Sequence, residues 1–120
     1  MATIGNPNFL PLAPADFAEF VASAPVVVLE LWARWAYSHN QRWEANLRFV
    51  MQEFERRIEV RSADIDEPDW ASWSLEWEVT ALPALVCFTH GQRKQTLNGI
   101  WPGQELRELF SHLTEGAKGV

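Results

Sequence analysis

The chain has 120 residues, of which 48% are hydrophobic, and 10 basic against 16 acidic side chains give a formal charge of −6. That length suits one domain around one core. The acidic balance excludes nucleic-acid binding by phosphate neutralisation, which needs clustered Lys and Arg. A single cysteine, Cys87, excludes an intramolecular disulfide. No apolar run approaches the roughly 20 residues of a membrane-spanning helix. The N-terminus lacks the basic region and apolar stretch of a signal peptide. With low cysteine usage, these features lead to the expectation of a soluble, cytoplasmic protein.

Residues 1–13, rich in Pro, Asn and Gly, read as an arm with a short edge strand at Phe9 to Leu12. Pro14 and Asp16 mark a helix start, with proline in the first turn. Phe17, Phe20 and Val21 give that helix one apolar face, and Pro25 ends it. Val26 to Trp32 is an apolar run broken only by Glu30 and rich in β-branched residues at its start. It reads as a central strand buried on both faces. A tight turn leads into a helix expected over Ser38 to Arg57, with Ser38 and Gln41 spaced as a capping box. Trp43, Leu47, Val50, Met51 and Phe54 form its apolar stripe.

Ile58 to Ile65 reads as a second strand, and Asp66-Glu67-Pro68-Asp69 as a turn with Asp69 as helix cap. Trp70, Trp73 and Trp77 then share one face of a short helix. Ala84 to Phe88 and Gln95 to Ile100 form a hairpin around His90-Gly91-Gln92, with Arg93-Lys94 as a solvated basic tip. Pro102 opens the last helix, which buries Leu106, Leu109, Phe110 and Leu113. The domain is expected over residues 14–115, with a flexible tail over 116–120. The order β-α-β-α-β-β-α behind an N-terminal helix predicts an α/β fold, a mixed sheet flanked by helices.

Three segments carry a family resemblance. Val28-Leu29-Glu30-Leu31-Trp32-Ala33-Arg34-Trp35 resembles the strand that enters the active site of thioredoxins. Thr80-Ala81-Leu82-Pro83-Ala84-Leu85-Val86 resembles that family's cis-proline segment, and Gly91 and Gly99 fall at its hairpin and late glycine. The resemblance spans about residues 14 to 113 and implies a thioredoxin fold. It departs from the family at the redox pair. Trp35 is followed by Ala36, Tyr37, Ser38 and His39, so Ala36 and His39 stand where the family has its two cysteines. Thiol–disulfide exchange needs a thiolate nucleophile, and alanine has nothing to attack with. No thiol–disulfide oxidoreductase activity, catalytic residue, metal or cofactor is therefore expected.

His39 is a tolerated polar residue of a helix's first turn, or an acid–base group, which the positive helix end keeps neutral. Glu30 matches the family's buried acid, with Ser62 in the position of its frequent lysine partner. It reads as an inherited remnant, or as an acid that works with His39 in an enzyme of another class. Ser38 and His39 adjoin, but neighbours on a helix point apart and make no hydrolytic pair. His39, His90 and His112 are scattered without metal-ligand spacing. Cys87, in an apolar strand, reads as a small hydrophobe, with a mixed disulfide to a partner as the alternative.

The resemblance also implies a peptide-docking groove where the loop after the central strand, the proline loop and the late glycine turn meet. Trp35, Tyr37, Leu82, Pro83, Asn98, Gly99 and Trp101 are its expected lining, and Trp70 or Trp73 are further candidates. The opposing reading puts these aromatics in the core or over a sheet edge. The expected function is a redox-inactive, chaperone-like or adaptor-like protein that binds a protein or peptide partner, as a monomer or a homodimer. Leu97-Asn98-Gly99-Ile100, Pro102 and Glu105-Leu106 resemble the end of thioredoxin-like chaperones of hydrogenase maturation, which implies a maturing enzyme subunit as one partner.

Overall fold

The computed structural model describes residues 9–33, 35, 37–54 and 56–118, and of residues 37–42, 44 and 118 the backbone only. A 3-10 turn over Pro14–Asp16 leads into α1 (Phe17–Val21), β1 (Val26–Trp32) and α2 (Tyr37–Met51). There follow β2 (Ile58–Asp64), α3 (Pro68–Glu76), β3 (Ala84–Thr89), β4 (Gln92–Asn98) and α4 (Gly103–Lys118). The strands form one sheet in the order β2-β1-β3-β4. β1 pairs parallel with β2, with Val26 opposite Ile58 and Glu30 opposite Ser62. It pairs antiparallel with β3, with Val28 opposite Cys87 and Leu31 opposite Ala84.

β1 is buried from end to end, as its near-continuous apolar sequence requires. Alternation along the strands divides the core in two. Val26 and Val28 face Trp43, Leu47, Val50, Leu106 and Phe110 of α2 and α4. Val27, Leu29 and Leu31 face Phe20 of α1 and Trp70 of α3. The result is three layers, with α2 and α4 on one side of the sheet and α1 and α3 on the other. The predicted α/β thioredoxin fold is the one observed.

Several boundaries differ from the sequence reading. α1 ends at Val21, ahead of Pro25, where the Ser23 hydroxyl and amide both donate to the Phe20 carbonyl at 2.7 and 3.0 Å. α2 starts at Tyr37, so Ser38 lies inside the first turn and not at its cap. α2 tightens into a 3-10 turn over Gln52–Phe54, and Arg57 falls beyond it. Glu67 occupies the cap position of α3 without a side-chain cap, Pro68 opens the helix, and Asp69 sits in its first turn. α4 continues through Lys118, past the Gly116 at which the tail was expected.

Both sheet edges carry further structure, and the short edge strand expected at Phe9 to Leu12 is present as a single bridge. Beyond β2, Pro11 forms an isolated parallel bridge to Ser62, where Leu12 N–H donates to Ser62 O at 2.8 Å and Ser62 N–H donates to Leu10 O at 2.9 Å. At the other edge, β4 begins at Gln92, directly after a two-residue turn. His90 (φ 49°) and Gly91 (φ 82°) both have positive φ, as a type I′ turn requires. β4 then pairs Arg93 with Phe88 but Gln95 with Cys87, so Lys94 is a bulged residue with no opposite number.

Candidate functional site

The predicted site lies where β1 ends and β3 begins. Leu31 pairs with Ala84, so the chain that leaves β1 toward Trp35 emerges at the sheet end that carries Pro83. Ala84 pairs in turn with Asn98, which brings the turn after β4 to the same end. The Leu82–Pro83 bond is cis, and Gly99 N–H donates to the Pro83 carbonyl at 2.8 Å. Gly99 has φ 82°, a conformation that L side chains rarely adopt. The structure therefore brings together Leu82, Pro83, Asn98 and Gly99, with Trp35 on the loop leaving the neighbouring strand.

The individual roles differ from those expected. Asn98 is spent on the scaffold. Its Oδ1 accepts from the backbone N–H of Thr80 at 2.7 Å and of Ala81 at 3.3 Å, and its Nδ2 donates to Glu78 O at 3.2 Å. This clamps the segment that leads into Leu82 and leaves little of the amide for a partner. Trp101 is half-buried against the α2–α4 core and donates its indole N–H to Asn98 O at 3.2 Å, so it braces the turn. Pro83 is buried and Leu82 half-buried. Among the described residues, neither backbone polar group of Leu82 takes part in a hydrogen bond.

Two large apolar side chains at this end face water. Trp35 is 70% exposed, as the groove reading expected. Ile100 is 63% exposed and was not singled out from the sequence. The signal was there: the chain turns at Gly99 before Pro102, which takes Ile100 out of the ladder. Trp70 and Trp73 are not part of this surface. Trp70 is fully buried and donates its indole N–H to Leu12 O at 3.3 Å. Its ring packs edge-on against Trp73 at 5.3 Å, and Phe17 packs against Trp73 at 5.2 Å and Trp77 at 5.3 Å. These rings close the α1–α3 layer because α3 lays its aromatic face on the sheet.

The candidate reactive groups are sealed. Cys87 is fully buried within the α2–α4 core, and burial pushes its thiol up to about 12. A thiol with so little thiolate at neutral pH and no solvent access cannot form the mixed disulfide weighed from the sequence. Glu30 is also fully buried, on the α2 side of β1. The hydroxyl of Ser62, its neighbour across the strands, donates to Phe9 O at 3.3 Å. Without solvent access, Glu30 cannot hand a proton directly to a substrate in this conformation. Ala36 and the side chains of Tyr37, Ser38 and His39 lie outside the described residues. Among the described residues, no group of three or more His, Cys, Asp or Glu side chains is placed to hold a metal ion.

His90 and His112 face a common space away from this end of the sheet. Both line an open cavity of about 550 Å³ between the β3–β4 hairpin and α4. Lys94, exposed at the hairpin tip as expected, lines it too. No helix among the described residues is long and apolar enough to cross a membrane.

The family model for thioredoxin matches residues 8–112. No curated protein matches the chain. Among solved structures, the chain is similar to a mutant thioredoxin from Halobacterium salinarum NRC-1, with a TM-score of 0.73 over 94% of this chain and 96% of that one. Identity across that alignment is 19%, so the likeness speaks to the fold alone. The model match covers most of the sequence. The chain belongs to the thioredoxin family.

Proposed function

We propose that this protein performs no thiol–disulfide exchange and instead binds an extended segment of a protein partner at the loop that ends in cis-Pro83. The observation that carries this reading is the pairing of unengaged backbone with exposed apolar surface. Leu82 has an N–H and a C=O with no hydrogen bond among the described residues, at the sheet end that also exposes Trp35 and Ile100. An extended chain satisfies such groups by pairing with them as an added strand, and its side chains then rest on flanking apolar residues. Exposed aromatics are frequent anchors of such contacts. Asn98 and Trp101 hold the loop in shape before the partner arrives, which lowers the ordering cost of binding.

Chemistry by other routes has less support. The chain's single thiol is buried, and Ala36 and His39 occupy the redox positions. A reducing compartment such as the cytoplasm suits a protein with one buried cysteine and no disulfide. The resemblance of the Leu97 to Leu106 segment to hydrogenase-maturation chaperones makes a maturing enzyme subunit one candidate partner.

Selection of unstructured peptides from a displayed library on the immobilised protein tests the reading. Recovered peptides should lose binding to the Trp35→Ala/Ile100→Ala double variant. That variant should keep its circular dichroism spectrum and thermal midpoint, because both side chains lie on the surface. Peptides that bind wild type and double variant equally would overturn the proposal.

A further inference from the structure

The cavity shared by His90 and His112 lies far from cis-Pro83. β3 starts beside Pro83 and ends at Thr89, so its length of about 3.3 Å per residue separates the two places. The floor of the cavity is apolar, built from half-buried Leu109 and buried Leu113 of α4. Its sheet-side wall is polar and has an unusual origin. In a regular strand, residues alternate between faces. Here Gln92, Lys94 and Gln95 all line the same cavity, because the bulge at Lys94 resets the alternation. Arg93, between them, points to the opposite face and pairs with Glu78 at 2.9 Å. Bulges commonly re-aim a side chain toward a site.

The lining has a consistent chemistry. The chain carries 16 acidic residues, yet none lines this cavity. Its one charged side chain is Lys94, and the imidazoles and the amides of Gln92 and Gln95 add hydrogen-bond donors. His90 is held in place, with its Nε2 donating to Ala117 O at 3.3 Å near the end of α4. His112 has no such tether. At about 550 Å³ the space is within the usual 300–1,000 Å³ of small-molecule sites. One ammonium and no arginine match a single negative charge better than a phosphate. The apolar floor matches an aliphatic stem.

We propose that the cleft between the β4 bulge and α4 binds a small aliphatic carboxylate. Its acid group sits on Lys94 and His112, and its stem lies along Leu109 and Leu113. This site is independent of the partner surface at Pro83.

Titration of the isotopically labelled full chain with sodium octanoate, followed by NMR, tests the assignment. Saturable shifts should be confined to the amides of β4's first half and of α4's last turns. 1-Octanol, which has the same stem without the charge, should bind at least about tenfold more weakly, the usual weight of a charge-assisted contact. Lys94→Gln and His112→Gln each replace an exposed side chain, keep a hydrogen-bonding group and should weaken octanoate by a similar factor. Inorganic phosphate should not displace octanoate. Linear, non-saturating shifts, equal affinity for 1-octanol, undiminished binding by Lys94→Gln, or displacement by phosphate would each overturn the proposal.

Discussion

The absence of redox chemistry predicts an unreactive cysteine, and the structure sets how unreactive. Burial raises the Cys87 thiol from an ordinary 9.0 to about 12. At pH 8 the thiolate fraction then falls from about one in ten to about one in ten thousand, a loss of about a thousandfold in attacking species. Full burial adds an access barrier, so labelling must wait for unfolding. Native protein mixed with a chromogenic disulfide reagent at pH 8 should react at least a thousandfold more slowly than protein in denaturant. The same displacement makes a linkage prediction. The folded state holds the thiol proton up to about 12, whereas the unfolded chain releases it near 9.0. Cys87 therefore contributes full stability below pH 9, and that contribution declines between pH 9 and pH 12. The decline costs about 1.4 kcal/mol per pH unit and totals about 4 kcal/mol. Denaturant melts of wild type and Cys87→Ala across that range should differ in slope in this sense. Native labelling within tenfold of the unfolded control, or parallel pH slopes in the two proteins, would refute the reasoning.

Further outcomes follow from named contacts. An insulin-reduction assay should show no turnover at any concentration of protein with dithiothreitol held at background, since Ala36 and His39 supply no sulfur. Trp70→Ala should cost about 3–5 kcal/mol in chemical denaturation, because it empties a fully buried site and releases the rings of Phe17 and Trp73. Asn98→Ala should cost about 0.5–1.5 kcal/mol by the same assay, through the lost hydrogen bonds to the exposed N–H groups of Thr80 and Ala81. It should also weaken peptide capture at the Leu82 loop, whereas Arg107→Ala, which loses an exposed pair with Glu53 at 2.8 Å, should shift stability by under about 1 kcal/mol and leave capture unchanged.

The fold was legible because local pattern and global architecture agree. The apolar run of β1 demanded cover on both faces, and the helical stripes of α2 and α4 provide it on one side. Pro83, Gly91 and Gly99 marked backbone positions that composition alone cannot disguise, and all three sit where the resemblance implied. The site was only partly legible. Whether Trp35, Trp70 and Trp73 are surface or core stayed open in the sequence, because a tryptophan's identity says nothing about which face of its element meets the sheet; Trp35 is exposed and Trp70 buried. Asn98 was read as groove lining, but its amide clamps Thr80 and Ala81, a contact between residues far apart in sequence. Ile100 was expected to end the strand, but the ladder stops at Asn98 and the turn at Gly99 puts Ile100 in water. The cavity at Lys94 was invisible for a stronger reason. It depends on one bulged residue in β4, which shifts the strand's alternation, and on helix residues more than a dozen positions away.

Chemical-shift mapping of the labelled protein with a peptide recovered by selection reaches furthest into the proposed mechanism. If an added strand forms at the cis-proline loop, the largest changes should fall on the Leu82 amide and the Trp35 indole, with new protection of Leu82 N–H from solvent exchange. Perturbations that bypass Leu82 and Trp35, with that amide still exchanging freely, would contradict it.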